Sequence, residues 1–130
     1  MIGAAMTMLT LRLLSATIAS SLLAACAHGP IAGQWLRPGQ TTVPAVLNYQ
    51  SSLLGGSGKL WTTLPSGEHF TGTYRLAPNA PDRQMTTTLK GDRGSTMFCR
   101  FTLTEPGVGP DKGGSVQCQL SSGGTFDATF

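Results

Sequence analysis

Three cysteines, two histidines and six carboxylates are the side chains of this chain from which covalent, metal or acid–base chemistry would have to be built. Cys26 ends an apolar run, and Cys99 and Cys118 lie far downstream. The absence of a C-x-x-C spacing argues against redox catalysis. Hydrolysis by a side-chain nucleophile needs a base and a group to orient it. His69 is the only histidine beyond His28, and Glu68, its chain neighbour, would face the opposite way on a strand. Asp82, Asp92, Asp111 and Asp127 are scattered, and Asp92 within Gly91-Asp92-Arg93-Gly94 suits a turn. No catalytic residue, metal site or cofactor is therefore expected. Binding is the chemistry that remains. Arg93 and Arg100, with Lys90 and Arg75, are candidates for a basic patch, and Trp61 and Phe98 are aromatic residues in otherwise polar positions. Such a mixture fits an anionic polymer or a protein partner. The competing expectation is that Trp61 and Phe98 cover one another, or Trp35, across the strands.

The first 25 residues carry one charge, Arg12, followed by an apolar stretch and small residues. This is the order of a secretory signal. As a helix the stretch after Arg12 spans about 20 Å, short of the roughly 30 Å of bilayer hydrocarbon. An uncleaved helix from Met1 to Ala25 is the alternative, and it would hold Arg12 near mid-membrane at a cost of about 2.5 to 3.5 kcal/mol. Leu23-Ala24-Ala25-Cys26 resembles the lipobox of bacterial lipoproteins. The resemblance implies cleavage before Cys26, lipid on its sulfur and attachment to a membrane through that lipid. Ala27 stands where an aspartate would favour the inner membrane, which implies the outer membrane, facing the periplasm. Lipidation of Cys26 also leaves Cys99 and Cys118 as an even pair, expected to form a disulfide outside the cytoplasm.

Without residues 1–25 the chain has 105 residues, enough for one domain. Eight basic residues then face six acidic ones, a net charge of +2 too small to suggest nucleic acid. Seventeen glycines and eight prolines argue against long helices. Residues 26–42 are rich in Pro and Gly and read as a lipid-anchored flexible tether, with Trp35 and Leu36 either plugging an open edge of the domain or docking a partner. Residues 43–130 read as the β domain. Pro44 limits the first alternating stretch, from Val43, to an edge strand.

Segments Gly58 to Tyr74 and Gly114 to Phe130 match when offset by 56 positions, pairing Leu64 with Leu120, Gly67 with Gly123 and Phe70 with Phe126. A shared order of strand, Ser-Gly turn and strand makes each a β-hairpin. A third hairpin spans Gln84 to Thr104. Alternation puts Leu60, Phe70, Leu89, Phe101, Val116 and Phe126 on one face and Thr71, Arg100, Gln117 and Asp127 on the other. About six strands with one apolar face and no covering helix are expected to form an all-β antiparallel meander that closes into a small barrel or coiled sheet. Cys99 and Cys118 both fall on the apolar face, roughly opposed across the loop Glu105 to Gly114.

Gly67, Phe70, Gly72 and Tyr74 resemble the MORN pattern of alternating glycine and aromatic residues over part of one hairpin. The second copy has Ala128 where that family has glycine, so the resemblance implies hairpin geometry and no activity. Ser121 to Phe126 is similar to the serine-glycine-aromatic loop of membrane-bound lysozyme inhibitors, also small β-barrel lipoproteins. The sequence thus yields two expectations: a non-enzymatic cell-envelope lipoprotein that binds an envelope protein or polymer, or an inhibitor of a lysozyme-like hydrolase.

Overall fold

The structure, a computed structural model, describes residues 28–130. The expected signal helix, its cleavage point and Cys26 lie outside the described residues. Eight antiparallel strands follow one another round a closed barrel. They are β1 (His28–Leu36), β2 (Val43–Ser51), β3 (Ser57–Thr63), β4 (His69–Arg75), β5 (Gln84–Gly91), β6 (Thr96–Leu103), β7 (Gly114–Leu120) and β8 (Thr125–Thr129). The three expected hairpins are β3–β4, β5–β6 and β7–β8.

Eight strands replace the expected six: the three hairpins supply six, the stretch from Val43 a seventh, β2, and the stretch expected as a tether an eighth, β1. Its inward positions are Gly29, Ile31, Gly33 and Trp35, so an apolar side chain appears only at every fourth residue. The glycines make room for rings from neighbouring strands. A Cβ on Gly29 would lie 3.5 Å from the Tyr49 ring, an ordinary contact, but one on Gly33 would lie 2.3 Å from the Asp127 carbonyl oxygen and 2.8 Å from the Phe126 ring. Gly33 stands opposite Ala128 in the four-pair register that joins β1 to β8 and closes the barrel. Any side chain there would hold the seam open. Trp35 is therefore part of the core, 5% exposed, rather than a plug over an edge.

The barrel also has no edge strand at β2, since β2 pairs with both β1 and β3. Pro44 is tolerated because it lies opposite Gln34 of β1, while the β2–β3 register covers only Asn48 to Ser51. Where that ladder stops, Thr62 is buried and its hydroxyl donates to the Val46 carbonyl, bridging the two strands by a side chain instead. The β4–β5 register is shorter still, two pairs, and the Thr87 hydroxyl donates to the Thr73 carbonyl in the same manner.

Inside, the alternating residues of all eight strands form one core, with Phe70, Leu89, Cys99, Phe101 and Cys118 completely buried. Phe130 packs against it, its ring edge-on to Phe101 with centroids 6.4 Å apart. Cys99 and Cys118 are directly opposed on β6 and β7 and form a disulfide. They are 19 residues apart in sequence. Cross-linking such a loop restricts the unfolded chain, and replacing both cysteines by alanine is expected to lower the unfolding free energy by about 3 kcal/mol. A urea titration of the oxidised wild type against the double variant checks this. An unchanged midpoint would contradict the bridge.

Candidate functional site

Because the inward side chains occupy the core, the grooves that could receive a partner lie on the outer wall and at the ends. The wall around Trp61 carries two of them side by side. Trp61 projects outward from β3, opposite Asn48 on one side and Thr71 on the other. Above it, where the β2–β3 ladder stops, lies a groove of about 620 Å³ lined by Pro44, Val46, Thr63, Pro65 and His69. Below it a second groove of about 420 Å³ is lined by His28, Pro30 and Gln50. Trp61 and Asn48 border both, so the half-buried indole forms a ridge between two depressions. Val43 and Val46 extend the apolar surface, 37% and 40% exposed. No carboxylate lines either groove.

At the upper rim of this wall two turns are bolted together by backbone hydrogen bonds to side chains. Glu68, 7% exposed, accepts at Oε2 from the backbone N–H groups of Arg93 and Ser95, at 3.0 and 3.1 Å. Asp92 accepts from the His69 backbone N–H at 3.0 Å, and the Asp92 N–H donates in return to the His69 carbonyl at 2.9 Å. The three that end on carboxylate oxygens are of the kind that is stronger than a bond between neutral groups. The His69 ring lies 2.8 Å, at Nδ1, from the Thr63 hydroxyl. Asp92 thus directs its oxygen at the main chain of His69 and not at the imidazole.

The candidate residues read from the sequence do not gather into one patch. Arg93 is held down, its Nη1 donating to the Ser66 carbonyl at 3.0 Å. Phe98 and Arg100 on the outer face of β6 border, with Gln117 and Gln119 of β7, a depression of only about 70 Å³. Phe98, 42% exposed, faces Thr88 and Gln119 in register, three strands round the barrel from Trp61. Trp61 and Phe98 therefore cover neither each other nor Trp35, which is inside. Lys90 and Arg100 sit on neighbouring strands four register steps apart, about 13 Å along the sheet. Among the described residues no three His, Cys, Asp or Glu side chains converge as a metal site. No described helix is long and apolar enough to cross a membrane. Cys26 lies outside the described residues, and Cys99 and Cys118 are bridged in the core.

The groove residues Asn48, Pro44, Thr63 and Pro65 were not read from sequence as site residues, Pro44 being read only as the mark of an edge strand. Their prominence comes from where a ladder stops, which no local pattern encodes. No protein-family model matches this chain, and no curated protein or solved structure matches it either.

At the opposite end a tyrosine pair lies inside the wall. The Tyr49 hydroxyl is 3.5 Å from the Asp111 carboxylate. Burial, then that carboxylate, raises its pKa above the ordinary phenol value. The Tyr74 hydroxyl is buried with no hydrogen-bond partner among the described residues, and its pKa is pushed up to about 12 by burial first and by Tyr49 and Asp111 second. An unfolded tyrosine ionises near about 10, so between the two values the folded state keeps a proton that the unfolded state releases. Ionisation of this group therefore has no effect on stability below the lower value and lowers it as pH climbs from there to the upper one. Tyr74→Phe is expected to leave stability at neutral pH unchanged or raised, and to move the alkaline unfolding midpoint upward. Circular dichroism against pH checks both. Destabilisation at neutral pH would show that the hydroxyl is satisfied.

Proposed function

We propose that this protein is a non-enzymatic cell-envelope lipoprotein, held to the membrane by lipid on Cys26, whose β barrel binds an envelope protein or polymer through the Trp61 wall. The observation that carries the reading is the pair of grooves sharing Trp61 and Asn48, an aromatic ridge with apolar and polar flanks. Rigid aromatic side chains set in pockets are the commonest anchors of binding energy. The lipobox resemblance supplies the location, an outer membrane facing the periplasm. The disulfide supports an oxidising compartment, where such bridges persist. The non-enzymatic part is supported by His69, whose ring engages Thr63 while Asp92 holds its backbone.

A second reading is inhibition of a lysozyme-like hydrolase by the β7–β8 turn. Ser121, Ser122 and Gly123 are exposed at the upper rim, which supports it. Two neighbours weigh on the other side. The Ser121 hydroxyl accepts from the Thr96 N–H at 2.8 Å, and Phe126, the aromatic of the motif, is 2% exposed in the core.

A photoreactive residue in place of Trp61 in the full chain is expected to capture one recurrent envelope component in cells, and the same residue at Arg93 is expected to capture nothing. Trp61→Ala should then weaken binding of that component by about thirtyfold or more, the loss expected at an aromatic anchor. Capture from Arg93 and not from position 61 would overturn the choice of wall. Inhibition of lysozyme by the full chain at micromolar concentration, lost on replacing Ser122, would favour the second reading.

A further inference from the structure

We propose that the end of the barrel bearing the β2–β3 turn rests on a phospholipid bilayer, with Leu53 and Leu54 dipping into the acyl boundary. The proposal rests on the reading of Cys26 as lipidated and adds an orientation to it.

Leu53 and Leu54 are 71% and 99% exposed, well beyond any other large apolar side chain among the described residues. Their exposure is built into a closed turn. The Ser52 N–H donates to the Ser57 carbonyl at 2.9 Å, the Gly55 N–H donates back to the Ser52 carbonyl at 3.1 Å, and the Ser52 hydroxyl donates to the Gly55 carbonyl at 3.2 Å. Gly55 and Gly56 have φ of 73° and 82°, a conformation that glycine adopts freely. The turn thus holds two consecutive leucines away from the core, where they contribute nothing to packing. Contiguous exposed apolar side chains of this kind mark a place of contact.

What they contact follows from the course of the chain. β1 starts at His28, paired with Gln50, beside the β2–β3 turn. Cys26 precedes His28 by two residues, at most about 7 Å of extended chain. Acyl groups on Cys26 would therefore bring the membrane surface to this end of the barrel. The β6–β7 connection lies at the same end of the barrel and carries Val108, 47% exposed. Lys59 and Arg75 flank a groove of about 740 Å³ beside Leu53, lined also by Ser52 and Ser57. Basic side chains at that height suit phosphate headgroups, with the leucines about 5–10 Å deeper. The Trp61 wall would then stand beside the membrane and the Glu68 rim would point away from it.

The test uses the full chain purified with its acyl groups and reconstituted in vesicles of phosphatidylethanolamine and phosphatidylglycerol carrying brominated acyl chains, which quench tryptophan on contact. Leu54→Trp and, at the other end, Ser122→Trp are each compared with wild type, and flotation with the vesicles is scored in the same samples. The expected result is flotation of all three proteins, with the emission added by Leu54→Trp blue-shifted and mostly quenched and that added by Ser122→Trp unaffected. Flotation without quenching of Leu54→Trp would overturn the orientation and leave the anchor standing. A blue shift that grows with protein density but resists the brominated chains would assign the leucines to a second copy, and also overturns it. Failure of all three to float would overturn the anchor and this proposal together.

Discussion

Close approach of backbone to backbone at the β1–β8 seam is the contact on which the rest of the structure depends. Gly33 lies against the Asp127 carbonyl with no room for a methyl group, at one end of the four-pair register that joins the first strand to the last. Closure removes both edges of the sheet, which in an open sheet would offer unpaired N–H and C=O groups to other chains. It also seals one continuous core. The same device recurs inside the wall, where the Tyr74 ring lies over Gly58 and the Phe70 ring over Gly91. Glycine facing an aromatic ring across a strand pair lets a narrow barrel hold large side chains without distortion.

A barrel built this way leaves its binding features outside. The ladder is continuous along β5–β6 and β6–β7, where the disulfide adds a covalent tie. It is interrupted between β2 and β3, and between β4 and β5, where Thr62 and Thr87 hydroxyls stand in for missing rungs. Each interruption coincides with a depression in the outer wall: the Trp61 groove at the first, and the groove between Lys59, Arg75 and Thr86 near the second. The Glu68 and Asp92 bonds at the rim tie the adjoining turns together. The two interruptions flank the seven-pair β3–β4 ladder, and the second adjoins the continuous β5–β6 ladder.

Much of this was legible in the residues. The three C-terminal hairpins follow from period-two alternation and Gly-containing turns, both local properties of the chain. The Cys99–Cys118 pairing followed from the midpoint of a single loop, and the register bears it out. β1 was not legible. Two of its four inward positions are glycine, so its apolar signal fell to one residue in four, and Pro30 and the neighbouring turn gave it the composition of a linker. The Pro44 signal was sound physics applied to a strand whose second neighbour ends early. Arg93 lies in the β5–β6 turn and its guanidinium finds a carbonyl 27 residues away, a contact set by how two turns meet and absent from any local pattern. Trp61 was visible as an exception to the polar face, but its grooves depend on where pairing stops.

Native-state hydrogen exchange on the amides of residues 28–36 tests the closed barrel most directly. If β1 is the closing strand, the amides of Gly33 to Leu36 exchange as slowly as those of β7, and all are released together on global unfolding. Exchange of that stretch at the rate of free peptide, while β3 to β8 stay protected, would mean that the segment is a linker after all and that the barrel is open.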